Sequence, residues 1–450
     1  MAIQPVRTRL SIADLHASVD DPALTSMTLL NELAGRYPEA VSFSAGRPFE
    51  GFYDVEDLPR HLRTFRDYLT KEIGLPLEQV RRTFFQYGRT KGFIHELIAR
   101  QLEVDEGLTV DPESIVVTTG CQEAMVLLLR ALVRDTRDVI LAATPNYVGF
   151  IGAARVVGAP LRPVREHEGG IDLEDLEVQI AAARREGLRP RACYVVPDFA
   201  NPSGASLSLA DRIALLELAG REQILVIEDN PYSLFRSGDS RVPLLKSLDE
   251  QHQVVHLGSF AKSAFAGSRV GYIVADQPVT STGTAAADPV LLADHLAKLK
   301  SMVTLNTSTV AQAVIGGYLL ENECSLRRAT AREAEVYAGN LATVLDSLTS
   351  VFAPTPGIPR DVSWNTPDGG MFIVVTLPFP ADDEMLEYSA SKFGVLWTPM
   401  HHFYAGTSGF HQARLSFSVL TPEQIVLGIE RLGELVRDQR GKWPAEAART

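Results

Sequence analysis

The chain has 450 residues, 45% of them hydrophobic, which suits two or three domains or one large α/β unit with a sizeable core. A formal net charge of -13 without a basic stripe argues against nucleic-acid binding, and three scattered cysteines (Cys121, Cys193, Cys324) imply neither a disulfide framework nor a zinc site. The N-terminus is charged and lacks the apolar centre of a signal peptide, and no run of eighteen apolar residues occurs, so a soluble, cytoplasmic protein is expected.

Residues 1 to 40 carry no usable motif. From about residue 110 to 275, short apolar runs alternate with helical patterns, as a mostly parallel sheet covered by helices requires. The runs are IVVT (115 to 118), VILAA (139 to 143), CYVVP (193 to 197), ILVIED (224 to 229), VVHLGS (254 to 259) and VGYIV (270 to 274). Helix candidates at 121 to 133 and 209 to 220 repeat their apolar positions at steps of three and four. Residues 280 to 289 read as a loop, and 309 to 345 as a long helical stretch able to link two domains. Beyond it MFIVVTL (371 to 377), GVLWTP (394 to 399) and ARLSFS (413 to 418) read as strands of a smaller sheet, closed by a helix over 422 to 436, with the tail GKWPAEAART frayed.

Several segments carry chemistry. Lys262 lies among small residues in GSFAKSAFAGSRVG, seven positions before Arg269, a pattern that suits imine formation beside a phosphate. Asp229 closes an apolar strand at the edge where open α/β sheets place ligands, and a carboxylate there needs a cationic partner. TTGCQEAM (118 to 125) is a strand, a glycine turn and a helix start, whose free amides around Cys121 and Gln122 favour an anion. Neither GxGxxG nor a P-loop pattern is present. In VVPDFANPSG, Asn201 becomes a candidate donor to a ligand oxygen once Asp229 and Lys262 are its neighbours.

In family order, FSAGRP, QYGRTKG, TTGCQEA, PNYVGF, PDFANPSG, VIEDNPYSLFR, GSFAKSAFAGSRVG, GGMFIV and ARLSFS together resemble the fold-type I pyridoxal-phosphate enzymes. The resemblance covers roughly residues 41 to 436 and is to the class I/II aminotransferases, in their aminoadipate and kynurenine transaminase-like branch. It implies pyridoxal 5'-phosphate as cofactor and a large α/β domain over 56 to 310. A smaller α/β domain would come from both chain ends, 1 to 55 with the N-terminal arm and 346 to 450, with 311 to 345 as linking helix. Lys262 would form the Schiff base and then serve as acid/base, and Asp229 would pair with the ring nitrogen, raising its pKa by roughly one to three units. Asn201 and Tyr232 would bond the phenolic oxygen, and Tyr147 would cover the ring face. Ser259, Arg269 and the amides of Cys121 and Gln122 would hold the phosphate, joined by Tyr87 from the partner subunit of a homodimer. Arg414 would fork onto the substrate carboxylate, Gly46 would let backbone approach it, and Arg47 is a candidate contact to an acidic or polar side chain.

Two departures from the family stand out: Ala266-Gly267 where Pro-Gly is frequent, and Met400 where glycine is frequent. His401 and His402 follow Met400. On a strand, adjacent residues face opposite sides, so the pair is not expected to share a metal; one packed and one exposed histidine is the plain expectation, and one lining the substrate pocket the sharper one. The expected reaction is transamination between an α-amino acid and a 2-oxo acid. Elimination, replacement or oxidative chemistry on the same cofactor is the alternative, to be told apart by the pocket around Arg47, Tyr53 and residues 400 to 404. A regulatory protein with an aminotransferase-like domain is disfavoured by the acidic charge and by the absence of a DNA-binding segment ahead of the first motif.

Overall fold

A computed structural model of the protein describes residues 10–21, 32–238, 241–280, 288–353, 362–404, 408–440 and 442. Most of the 280 to 289 loop and of the C-terminal tail lie outside the described residues.

Eight strands form the principal sheet: β1 (Ile115–Thr118), β2 (Asp138–Thr144), β3 (Leu161–His167), β4 (Gly170–Ile171), β5 (Arg189–Val195), β6 (Leu225–Asp229), β7 (Val254–Ser259) and β8 (Gly271–Val274). Their order across the sheet is β1-β8-β7-β6-β5-β2-β3-β4. Strands β2, β3, β5, β6 and β7 pair in parallel, β8 runs antiparallel to both its neighbours, and β4 closes a hairpin on β3. Central strands of such a sheet are covered on both faces, which is why they read as unbroken apolar runs. In β2 the consecutive Ile140 and Leu141 enter different cores, one with Met125, Leu128 and Phe150, the other with Leu176, Cys193 and Leu215.

The six apolar runs all become strands of this sheet. Strand β3 escapes the sequence reading because it lies toward the sheet's end and buries only Val164 among seven residues. With β8 antiparallel to both β1 and β7, the carboxyl ends of β1, β2, β5, β6 and β7 fall on one edge, bringing Thr118, Asp229 and Ser259 side by side.

The stretch from 309 to 345 is not one linking helix. It comprises Thr309–Glu321, Leu326–Ala329 and Ala331–Val351, interrupted where Glu323 and Cys324 take φ values of 55° and 56°, which end a right-handed helix. A second sheet follows, of β9 (Ser363–Trp364), β10 (Phe372–Thr376), β11 (Thr398–Pro399) and β12 (Gln412–Ser416), antiparallel in the order β9-β10-β12-β11. GVLWTP divides: Val395–Leu396 pairs in parallel with Val41–Ser42, and Thr398–Pro399 joins β12. Phe43, Ile373, Trp397, Leu415 and Ile429 share the core of this half, so a segment around residue 43 packs with segments beyond residue 340. The closing helix Pro422–Gln439 starts on a Thr421/Gln424 capping box with proline in its first turn.

MHHF is a short 3-10 helix, Met400–Phe403, and not strand. Tyr404 N donates to His401 O, and Asn146 N donates to Phe403 O, tying this turn to the loop before Tyr147. At three residues per turn, adjacent side chains diverge by only about 120°. His401 and His402 therefore face one neighbour, Asp383, and both are partly buried, contrary to the one-in, one-out expectation.

Candidate active site

A cavity of about 190 Å³ opens at the carboxyl edge of the principal sheet, and Lys262, Asp229, Tyr147, Asn201, Tyr232, Ser259, Arg269, Cys121 and Gln122 all line it. Residues separated by more than a hundred positions converge because each stands at or just beyond a strand end on that edge.

Lys262 follows β7 by three residues, and its Nζ donates to the carbonyl of Gly46, which the other half of the molecule supplies. Gly46 lies close under the Phe372 ring, where a Cβ would stand 2.8 Å from it. Burial, with Arg414 and Arg269 adding positive charge, brings the Lys262 amine down to about 8.

Asp229 is the last residue of β6 and is 4% exposed. Its Oδ2 accepts 2.7 Å from the hydroxyl of Tyr194, whereas its Oδ1 is buried with no hydrogen-bond partner. Burial raises its pKa to about 6, against the pull of that hydrogen bond. A buried, half-satisfied carboxylate is costly, and a cationic N–H arriving from the cavity would complete it. Tyr194 itself is held by stacking on Phe150, centroids 3.6 Å apart. It was missed in the sequence reading, although the register pairs Tyr194 with Ile227 and so puts its side chain on the Asp229 face of the sheet.

The opposite end of the cavity suits an anion. The Gly120–Leu132 helix begins there with the free amides inherent to a helix start. Arg269, at φ 49°, folds back over that start, so close that a Cβ on Gly120 would lie 2.5 Å from its Nη2. Among the described residues Arg269 makes no ion pair with a carboxylate. Gln122 is anchored by donating 2.6 Å to Gly149 O, and Cys121 Sγ donates 3.2 Å to Gly258 O while burial raises its thiol well above the ordinary value, so the cysteine is no nucleophile here.

Arg414, from β12, enters from the second sheet. Nη1 donates 2.7 Å to Asn201 Oδ1, and Nη2 donates to Ser44 O at 2.7 Å and Thr398 Oγ1 at 3.1 Å. Phe372 and Phe403 flank the guanidinium at 4.7 Å and 5.1 Å. Burial brings its pKa down to about 10, and no carboxylate faces it among the described residues. A buried cation oriented by neutral acceptors is a receptor for a carboxylate. Phe372, Phe403, Ser44 and Thr398 are further residues of the site to which the sequence reading gave no role, although Ser44 and Phe372 lie within FSAGRP and GGMFIV.

Tyr232 is buried, as is most of Tyr147, which caps the start of the Val148–Val157 helix; burial raises both hydroxyls, Tyr147 to about 12. Arg414 and Gly46 do not line the cavity but bond to residues that do, Asn201 and Lys262, whereas two other expected residues lie away from it. Arg47 is exposed, and only its backbone is engaged, the carbonyl accepting from Ser418 Oγ at 2.5 Å. Tyr87 is 83% exposed in a separate hollow beside the Leu77–Phe85 helix. The cavity thus offers an orphaned buried carboxylate oxygen, a lowered amine, an unpaired arginine over a helix start, and a carboxylate receptor. Those features fit pyridoxal phosphate with an amino acid above it.

Comparison with known proteins agrees. Residues 50–432 match the family described as aminotransferase class I and II. The (S)-3,5-dihydroxyphenylglycine transaminase of Amycolatopsis orientalis is 51% identical over 437 residues, 97% of each chain. The crystal structure of a multiple substrate aminotransferase from Thermococcus profundus superposes with a TM-score of 0.78 at 26% identity, covering 93% of this chain and 96% of that one. A Pyrococcus horikoshii kynurenine aminotransferase, in complex with PMP, gives 0.77 at 27% identity, covering 92% and 94%.

Proposed function

Since the chain belongs to the class I and II aminotransferase family, and is a pyridoxal-phosphate-dependent enzyme moving an amino group between an amino acid and a 2-oxo acid, we propose that its amino donor is an arylglycine of the 3,5-dihydroxyphenylglycine type. The observation that carries this choice of donor is the 51% identity, across nearly the whole of both chains, to a transaminase of that amino acid.

Bound in the cavity, the cofactor supplies an aldehyde that takes up the amino group and a ring that accepts the electron pair released at Cα. In our reading the chain's own residues do the rest. The Lys262 amine would tether the cofactor, then remove the Cα proton and return it to the former aldehyde carbon, beyond the amino nitrogen. Asp229, braced by Tyr194, holds the protonated ring nitrogen on its free Oδ1. Asn201 has its carbonyl engaged by Arg414, which turns its amide donor, with the Tyr232 hydroxyl, toward the phenolic oxygen. Arg269, Ser259 and the helix start hold the phosphate, and Tyr147 covers the ring. Arg414 would grip the substrate carboxylate and so orient the bonds at Cα. Small movements of a substrate so held decide between productive and idle geometry, so the arginine's braced position matters as much as its charge.

The protein acts as a homodimer in this reading, with Tyr87 of each chain reaching the other's phosphate. The support is its exposure, next to an exposed Phe85, on a surface that its own cavity does not use. Steady-state kinetics over a panel of donors tests the substrate assignment. An arylglycine should exceed 2-aminoadipate, kynurenine and phenylalanine in kcat/KM by about tenfold or more. Parity with, or preference for, any of those three would overturn it.

A further inference from the structure

The turn that carries Phe403 beneath Arg414 also carries two histidines for which amino transfer has no use. His402 Nε2 lies 2.7 Å from Asp383 Oδ1, and His401 Nε2 lies 3.7 Å from Asp383 Oδ2. The two imidazole centroids are 4.1 Å apart, and His401 is held in place by stacking on Phe410 at 4.8 Å with planes 1° apart. Asp383 is the first residue of the Asp383–Phe393 helix, so the three groups come from two separate elements. All three can present ligand atoms within 4.8 Å of one another.

Asp383 lies within ion-pair range of both histidines but hydrogen-bonds only one. His402 is satisfied by Asp383, but the 3.7 Å between His401 and the second carboxylate oxygen exceeds a hydrogen bond, and the His401 Nδ1 is buried without a partner. His401 (side chain 16% exposed) is thus left with a long ion-pair contact at Nε2 in place of a hydrogen bond. A cation between the groups would engage that nitrogen directly. Legs of about 2.0 to 2.1 Å to nitrogen and oxygen span a donor separation of 3.7 Å, and the His402 contact needs to open by only about 0.5 Å.

We propose that Asp383, His401 and His402 bind one divalent transition-metal cation of the zinc type. Two imidazoles and one carboxylate form a borderline-hard donor set that favours Zn²⁺, Co²⁺ or Ni²⁺ over Mg²⁺ or Ca²⁺. Each histidine binds through Nε2 with its remaining proton on Nδ1, and Asp383, 38% exposed, leaves water to complete the shell. The ion pins the Met400–Phe403 turn to the Asp383–Phe393 helix. Its place is outside the cofactor cavity, so it holds structure and takes no part in the chemistry.

Tag-free holoenzyme, treated with chelator and dialysed, would be titrated with Zn²⁺ and separately with Co²⁺. One equivalent per chain should bind, Co²⁺ should develop visible d–d bands, and affinity should fall at least tenfold in His401→Ala and in Asp383→Asn while the cofactor absorbance remains. Binding well below one equivalent, or a variant that binds as tightly as the unaltered chain, overturns the site. Should a variant misfold, the Co²⁺ bands of the unaltered chain decide alone, since their absence overturns it too.

Discussion

Lys262 attacks an aldehyde only as the neutral amine, and its surroundings set when that form is present. At about 8 instead of the ordinary lysine value, the neutral fraction near pH 7 rises about 300-fold. Burial does this first, because a charged ammonium loses its water; Arg414 and Arg269 add like-charge repulsion. The sign follows from a lowered basic group. Reloading of cofactor-free enzyme with pyridoxal phosphate should accelerate about tenfold per pH unit below about 8 and level off above it. Stopped-flow absorbance measures this, and a profile still climbing at pH 10 would show an unperturbed lysine. Asp229 is the converse case, a carboxylate pushed up to about 6 by burial until a cation meets its free oxygen.

At the scale of elements, the cofactor-facing helix Gly120–Leu132 is fastened by a buried ion pair. Lys300, fully buried on the Leu292–Val303 helix, donates to both oxygens of Glu123 at 3.0 and 2.8 Å, and Glu123 accepts in turn from Thr119 N at 2.6 Å. Such a pair contributes little net stability, but removing one partner strands the other. Lys300→Met should therefore destabilise the protein by about 3–5 kcal/mol in denaturant unfolding, with much of the loss restored in the Lys300→Met, Glu123→Gln double variant. A loss below about 1 kcal/mol would mean that Glu123 finds water instead. The helix must be held this firmly because Arg269 and Gly271 press on its first turn, a Cβ on Gly271 falling 2.9 Å from Cys121 N.

On the scale of the whole molecule, Lys262 and Asp229 stand on the principal sheet, while the Gly46 carbonyl and Arg414 belong to the half in which a segment around residue 43 packs with segments beyond residue 340. Tyr87 and Phe85 are strongly exposed and line one hollow, and in the proposed homodimer that surface is covered. Sedimentation equilibrium should give a dimer. Tyr87→Phe should weaken cofactor binding about tenfold, one lost charge-assisted hydrogen bond, while leaving the dimer intact. A monomer, or unaltered cofactor affinity, would refute the reading of Tyr87.

The cofactor was legible in the amino-acid sequence, and so were the residues proposed to hold it and its substrate, Lys262, Asp229, Asn201, Tyr232, Arg269 and Arg414, because each sits in a short segment that carries the family resemblance. The buried strands were legible because apolar runs are a local consequence of two covered faces. What followed from pairing between distant segments was not legible. Tyr194 reaches Asp229 through strand register, Phe372 and Phe403 enclose Arg414 through sheet packing, and β3 has too little buried surface to leave a pattern. His401 and His402 show the division most clearly. Their adjacency is written in the sequence, but whether they diverge or converge depends on the backbone around them, and the tertiary contact with Asn146 accompanies a helical turn there that points both at Asp383.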